Sequence, residues 1–236
     1  MSAFKRCGAG NFINAIWMAA ALLLAGLSGL SGLSNLVPQA RAAGNVATCN
    51  EANLDAALVG GGAVTFSCSG TIPITSIKTI STNTTLDATG QTVTLSGGGT
   101  QRIFSINATI ALGLTNLTLS GGSASFGGAV WMGSASSLTI ANCTFSGNSV
   151  TIAGGAIYAD GTLIITNSTF SGNTATGSGG GAIYLAGGTA DISGSTFSGN
   201  SGTDGGAMQS SSGTTATITT SSFTANAATS GGGGAI

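Results

Sequence analysis

Histidine is absent from the 236 residues, charged residues make up only 5%, and proline occurs twice. The lack of histidine removes the side chain that most often serves as a general base or metal ligand near neutral pH. The formal net charge is −1, so the chain has no basic surface for nucleic acid, and we expect no nucleic-acid partner. The scarcity of proline argues against a collagen-like chain, although 41 residues are glycine.

The first 42 residues have the pattern of an export signal. Lys5 and Arg6 form a basic start, an apolar stretch follows at residues 15–27, and an A-x-A cleavage pattern occupies residues 40–42. We therefore predict a signal peptide over residues 1–42 and a secreted or cell-surface protein. The alternative is an uncleaved membrane anchor, because the uncharged span is long enough to cross a bilayer.

Cysteine usage fits an exported chain, since oxidising compartments allow disulfides. Cys7 would leave with the signal peptide. Cys49 and Cys68 enclose a short segment with a helix-like stretch, and we predict that they pair. Cys143 is left over and has no base beside it, which favours a small buried hydrophobic residue over a nucleophile.

Two markers repeat along the second half of the chain at intervals of 25 to 28 residues. One is an apolar residue in the F-x-x-N word, at Leu119, Phe145, Phe170, Phe197 and Phe223. The other is the second glycine of a Gly-Gly pair, at Gly128, Gly155, Gly181, Gly206 and Gly234. The asparagine of the first word recurs as well, at Asn148, Asn173, Asn200 and Asn226. Two independent markers with one period indicate a structural repeat.

Each repeat contains about three short stretches with strand-like alternation, separated by turn residues, and no helical stretch. No repeat can bury its apolar face alone, so we predict an all-β fold in which each repeat of about 26 residues forms one turn of a parallel β-solenoid. Equivalent residues then stack about 4.8 Å apart, which brings the phenylalanines within stacking distance and lets each asparagine bond its neighbours. The alternative is a flexible low-complexity chain, although the ladders and the scarcity of proline disfavour it.

The N-terminal part of the mature chain is predicted to close one end of this rod. Residues 50–58 read as a short amphipathic helix capped by Asn50, with Leu54 and Leu58 on one face. We assign residues 43–70 to a cap segment and residues 71–236 to the β-helix. The chain stops within a repeat, so we expect the β-helix to be truncated at its C-terminal end and to continue in a longer protein.

The words "FSGNSVTIAGGAIYADGTLIITNSTF" resemble the repeats of the chlamydial polymorphic outer membrane protein family, which pair F-x-x-N with G-G-A-I. The resemblance covers residues 117–236. The preceding part, with "VTFSCSGTI" and "TTLDATGQTVTLSGG", is similar to bacterial secreted proteins with a pectin-lyase-like fold. The resemblance implies a right-handed parallel β-helix that is exported to the outer membrane or beyond and displayed as an adhesin-like passenger.

One column of the repeat suggests a binding surface. Trp131, Tyr158 and Tyr184 lie next to the buried column, so strand alternation points them outward. A line of exposed aromatic rings could stack on sugars. The alternative is ordinary packing between neighbouring strands.

The acidic residues do not form a recognisable catalytic pattern. Asp160 and Asp204 lie in turn words, and Asp191 lies in a solvent-facing column. Asp87 and Arg102 belong to the early turns and could form a surface pair. We therefore name no catalytic residue and expect no cofactor and no metal site.

The sequence thus favours an exported, non-catalytic β-helix that works as a scaffold or adhesin, with glycans or proteins of a host or cell surface as partners. The alternative is a polysaccharide-binding or polysaccharide-degrading β-helix similar to the pectate lyases. Fold alone does not separate the two, since one fold carries many functions.

Overall fold

The computed structural model describes residues 44–230 and 232–236, and the predicted signal peptide at residues 1–42 lies outside them. The described chain is a parallel β-solenoid of about six turns, with about 26 residues in each turn. All strand pairs are parallel, and each joins equivalent positions of successive repeats, as in Phe145 with Phe170 and Phe170 with Phe197. The predicted fold class is confirmed.

From residue 104 onward each full turn contributes strands to four faces, which the chain visits in the order A, B, C and D; the described turns before it have no strand on face D. Faces A and B belong to one 12-stranded sheet and are joined by two long strands, β15 (Ile157–Thr166) and β18 (Ile183–Ser193). The other strands of face A are β4 (Lys78–Ile80), β7 (Phe104–Ile106), β11 (Val130–Met132) and β21 (Met208–Ser210). The other strands of face B are β1 (Gly44–Val46), β2 (Gly62–Phe66), β5 (Thr84–Asp87), β8 (Ala111–Thr115), β12 (Ser136–Ala141) and β22 (Thr215–Thr219).

Faces C and D are separate sheets of seven and five strands. Face C contains β3 (Gly70–Pro73), β6 (Val93–Ser96), β9 (Leu117–Ser120), β13 (Thr144–Ser146), β16 (Thr169–Ser171), β19 (Thr196–Ser198) and β23 (Ser222–Thr224). Face D contains β10 (Ser123–Phe126), β14 (Ser149–Ala153), β17 (Thr174–Ala175), β20 (Ser201–Gly202) and β24 (Ala227–Ala228).

The sequence predicted about three strands in each repeat, and face D is the additional strand that it did not predict. Strands such as β17 and β20 have only two residues, and most residues of this face are small. Such segments carry no apolar alternation that could mark them as strands. They pair because the neighbouring turns hold their backbones in register.

The corners of the solenoid explain two of the repeated residue types. Between faces B and C the chain turns at a left-handed residue, such as Asn142 (φ 53°) or Asn167 (φ 48°), and asparagine tolerates this conformation better than most residues. Between faces C and D the turn falls on the glycine of the "SGN" word, for example Gly147 (φ 59°). The second glycine of the Gly-Gly pair is needed for a different reason: a Cβ on Gly155 would lie 2.0 Å from the carbonyl oxygen of Gly181.

The phenylalanine column is the centre of the core. Phe145, Phe170 and Phe197 are fully buried, and Phe223 is half-buried. Neighbouring rings in this column lie nearly parallel, with centroids 4.7–4.8 Å apart and planes inclined by 3–6°. In the preceding turn Leu119 occupies the same position. The strand spacing of a parallel sheet thus sets the stacking distance of the rings.

The asparagine column forms a continuous hydrogen-bonded ladder beside the rings. The side chain of Asn173 accepts from the backbone N–H of Asn148 (3.0 Å) and from its Nδ2 (2.9 Å). Its own Nδ2 donates to the carbonyl oxygen of Phe145 (3.0 Å) and to Oδ1 of Asn200 (2.9 Å). Asn200 and Asn226 repeat the pattern one turn further on. The ladder satisfies buried backbone groups at a corner where the regular strand pairing stops.

Helix α1 (Glu51–Leu58) packs against the first strands of the rod. Asn50 caps it, because its side chain accepts from the backbone N–H of Asn53 at 2.9 Å. Leu54 is fully buried, and Leu58 packs against the core. The predicted capping helix is therefore present, one residue shorter than expected.

An ion-pair cluster fixes this helix to the turn that follows it; we call Glu51, Asp55 and Lys78 the cap latch. Nζ of Lys78 lies 2.6 Å from Oε1 of Glu51 and 2.6 Å from Oδ1 of Asp55, and the Lys78 side chain is only 3% exposed. Glu51 also accepts from the backbone N–H groups of Thr75 (2.9 Å) and Ser76 (3.0 Å). Burial raises the pKa of Glu51, but its bonds to Lys78, Thr75 and Ser76 outweigh this and hold the pKa at about 2.

The cap latch predicts an acid-dependent contribution to stability. Since the pKa of Glu51 is lowered, its contribution is fully present above about pH 4.5 and is lost as pH falls through about 2. We expect Glu51→Gln to reduce the free energy of unfolding by about 1.5–3 kcal/mol at pH 7. The difference from the wild type should shrink between pH 4.5 and pH 2, as measured by urea denaturation at each pH. The matched control is Asp191→Asn on the exposed part of face B, which should change little; a pH-independent difference for Glu51→Gln would contradict the prediction.

Candidate functional site

Face A carries the aromatic row, which we define as Trp131, Tyr158 and Tyr184. Trp131 pairs with Tyr158 in the strand register, and Tyr158 pairs with Tyr184. The residues that precede them in each strand point inward and are fully buried. All three aromatic side chains are half-buried, so the row lies on the outer surface of three successive turns.

The rings of the row also pack on one another. Tyr158 and Tyr184 are stacked, with centroids 5.5 Å apart and planes inclined by 27°. Phe126 meets Tyr158 edge to face at 5.1 Å, and the hydroxyl of Tyr184 is hydrogen-bonded to Ser211 at 2.8 Å. One face of Tyr158 is therefore covered, and a ligand would meet the Trp131 indole and the edges of the tyrosine rings. The cross-strand packing that was the alternative interpretation of the row is therefore present, and sugar stacking stays a prediction.

An acidic and a basic side chain, Asp160 and Arg102, lie near the aromatic row. Burial raises the pKa of Tyr158, with smaller contributions from Tyr184 and from the carboxylate of Asp160 two positions along β15. On the other side of the row, Arg102 donates from Nη2 to the carbonyl oxygen of Phe126 at 2.7 Å. Burial lowers the pKa of Arg102, which nonetheless remains protonated at neutral pH.

The pair that Asp87 and Arg102 could have formed is absent among the described residues. Asp87 accepts from the hydroxyl (2.6 Å) and the backbone N–H (2.8 Å) of Thr89, and mainly the Thr89 hydroxyl lowers its pKa. Arg102 instead spans to the next turn and binds the carbonyl oxygens of Phe126 and Gly127. Each charged group is thus engaged by polar groups at its own corner of the solenoid, which removes the reason for them to pair.

The remaining acidic residues of the repeats lie on different parts of the surface. Asp191 is exposed on face B between Ile164 and Thr217, and Asp160 is half-buried on face A. Asp204 accepts a long hydrogen bond of 3.4 Å from Nε2 of Gln209. Among residues 44–230 and 232–236, no three cysteine or acidic side chains come together as a metal site.

A concave surface on face B was not predicted from the sequence; we call it the face B groove. It has a volume of about 590 Å³ and runs over β2, β5, β8 and β12. Its floor follows the outward column Ala63, Thr85, Gly113 and Thr139, in which the small residues Ala63 and Gly113 interrupt the threonines. Asn83 lies at its edge, where its side chain accepts from the backbone N–H of Ala111 at 3.0 Å. The alternation of small and branched residues along this column could have indicated the groove. The early turns, however, have no repeated motif by which their sequences could be aligned.

The cysteines are placed in two environments. Cys49 and Cys68 form a disulfide that links the start of helix α1 to the end of the first full strand of the coil. Cys143 is buried, and its thiol donates to the carbonyl oxygen of Ala141 at 3.3 Å. Ser168 and Ser195 make the equivalent bond in later turns, so Cys143 takes the place of a serine in a structural column. Burial raises the pKa of Cys143 to about 11, which keeps the thiol protonated and unreactive.

Comparison with known proteins agrees with this geometry at the level of the fold. The family model described as "Right handed beta helix region" matches residues 75–236, which is more than half of the chain. The chain therefore belongs to the right-handed β-helix family. No curated protein and no solved structure matches the chain significantly.

Within the part of the chain that the structure describes, no helix has the length and apolar character to cross a membrane.

Proposed function

We propose that this chain is an exported, non-catalytic β-helix that works as a rigid adhesin-like scaffold on a bacterial surface. The observation that carries the proposal is that several ionisable groups of the described chain are engaged in holding the fold. Lys78 and Glu51 close the cap latch, Arg102 binds backbone carbonyls, and Asp87 binds Thr89. Because these side chains are bound within the fold, we infer that their role is structural rather than catalytic.

Export is supported by the sequence pattern at residues 1–42 and by the Cys49–Cys68 disulfide, which suits an oxidising compartment. The resemblance of the F-x-x-N and G-G-A-I words to the chlamydial polymorphic outer membrane proteins supports display on the outer surface. A stack of similar turns is stiff along its axis, because successive turns are hydrogen-bonded to one another. Such a rod can hold a binding surface away from the cell that carries it.

The direct test is display of the chain on a non-adherent bacterium through a heterologous surface anchor. We expect the displaying cells to adhere to glycan-coated or cell-coated plates more strongly than cells displaying a scrambled chain. Equal adherence of the two would overturn the adhesin proposal. Incubation of the purified chain with the same polysaccharides should release no shortened products.

The aromatic row is the candidate contact surface for this role. We expect Trp131→Ala to reduce binding of the chain to its polysaccharide or cell-surface ligand by about tenfold or more, because exposed aromatic side chains often dominate such contacts. The measurement is binding of the purified variant to a glycan array and to cells. Its matched control is Gln209→Ala, which lies in the same column one turn beyond Tyr184. Unchanged binding by Trp131→Ala would rule out the aromatic row.

A polysaccharide-degrading β-helix is the second candidate. It is favoured by one observation, the position of Asp160 on the same strand as Tyr158 and two residues from it. Glycoside-cleaving sites use acidic side chains for proton transfer, and Asp160 is the acidic side chain beside the aromatic row. Release of reducing ends from a polysaccharide, abolished by Asp160→Asn, would establish this function instead.

A further inference from the structure

We propose that the face B groove binds an uncharged carbohydrate chain. The proposal rests on the adhesive function proposed above and names a ligand class for it at a second surface, separate from the aromatic row. The groove volume of about 590 Å³ lies within the range of small-molecule sites in proteins. From Ala63 to Thr139 it crosses four neighbouring strands, a length of about 14 Å that accommodates a short oligosaccharide.

The side chains of the groove match the chemistry of a sugar. Thr85, Ser137 and Thr139 supply hydroxyls that both donate and accept, and Asn83 supplies an amide. The methyl groups of Ala63 and of the threonines, together with the bare backbone of Gly113, provide apolar surface between these polar groups. Pyranose rings have the same mixture of hydroxyl groups and C–H faces.

Charge decides between neutral and acidic glycans. The residues that line the groove are all uncharged. The nearest acidic group in the register is Asp87, which pairs with the lining residue Thr115 on the adjacent strand. An anionic polymer would therefore meet a negative charge at the rim and find no cation among the lining residues to compensate it.

The backbone of the groove argues against a peptide ligand. An extended peptide normally gains affinity by adding a strand to an open sheet edge. The two central strands of the groove, β5 and β8, each pair with a neighbour on both sides. A ligand on this face can therefore form hydrogen bonds only with side chains. Such contacts suit a hydroxyl-rich carbohydrate better than a peptide backbone.

The groove is also rigid. The residues that alternate with its floor, including Leu86, Leu112 and Leu138, are at most 1% exposed in the core. The hydroxyl groups are therefore fixed on a packed sheet before a ligand arrives, and little ordering cost opposes binding.

The test compares Thr139→Trp, which fills the groove, with Thr217→Trp, which places the same side chain in the same column outside it. The probes are neutral gluco-, manno- and galacto-oligosaccharides, with oligogalacturonate as the charged counterpart and an unrelated extended peptide as a further comparison. Binding is followed by NMR chemical-shift changes and titration calorimetry on the whole chain. We expect a neutral oligosaccharide to bind the wild type and Thr217→Trp equally and Thr139→Trp at least about tenfold more weakly.

A second variant, Thr85→Val, removes one hydroxyl without filling the groove and should weaken binding about three- to tenfold. Circular dichroism of each variant checks that the solenoid is intact. The groove proposal is overturned if no neutral oligosaccharide binds, if Thr139→Trp and Thr217→Trp behave alike, or if oligogalacturonate or the peptide is preferred. Adherence of displaying cells is measured on the same variants: adherence without neutral-glycan binding refutes only the groove, whereas groove binding without adherence refutes only the adhesin function.

Discussion

Replacing Asn173 by alanine is expected to reduce the free energy of unfolding by about 3–5 kcal/mol. The side chain is fully buried and takes part in four hydrogen bonds, two with Asn148, one with Phe145 and one with Asn200. Alanine removes all four and leaves the backbone N–H of Asn148 without its partner. A buried polar group without a partner costs more than the bond itself contributes, so the loss should be large.

The experiment measures urea denaturation of the purified chain by circular dichroism, with Asn167→Gly as the matched control. Asn167 is exposed and left-handed (φ 48°), a conformation that glycine adopts easily, so this variant should stay within about 0.5 kcal/mol of the wild type. Asn173→Asp is a sharper probe, because it keeps the shape and the acceptor but loses the donor and adds a charge. A small loss for Asn173→Ala would mean that water enters the column and replaces the ladder.

The ladders were predictable from the sequence because a parallel stack places equal repeat positions on top of one another. Once the period of about 26 residues is known, Phe145 must lie over Phe170 and Trp131 beside Tyr158, whatever the details of the turns. The capping helix was predictable for a local reason, since Asn50 and the spacing of Leu54 and Leu58 lie within one short segment. These features need only short-range patterns and one repeat length.

The features that the sequence did not reveal depend on pairings between irregular turns. Lys78 meets Glu51 across 27 positions, and no repeated word connects the two. The face B groove arises because Ala63 and Gly113 fall in the same column as Thr85, a register that only the folded early turns define. Opposite charge alone made a pair of Asp87 and Arg102 an option, but each side chain binds nearer polar groups at its own corner of the solenoid.

The second large effect is expected for Phe170→Ala, at about 3–5 kcal/mol of unfolding free energy. Phe170 is fully buried and lies between two rings, with centroids 4.8 Å away on both sides. Alanine would leave a cavity the size of the ring in a column whose neighbours are held by strand pairing and cannot collapse into it. The same change at Phe223, which is half-buried and stacks on Phe197, should cost about half as much.

Leucine variants separate burial from ring stacking. Leucine is compatible with this column, because Leu119 occupies it in an earlier turn. Phe170→Leu therefore keeps most of the apolar contact and removes two ring–ring contacts, each worth about 0.5–1.5 kcal/mol beyond burial. Phe145→Leu is the matched comparison, because Phe145 is equally buried but stacks on one ring, that of Phe170; we therefore expect the loss for Phe170→Leu to be larger by about one ring contact in denaturation experiments. Equal losses would mean that the rings stabilise the rod by their buried area alone, and that their parallel alignment simply follows from the strand spacing.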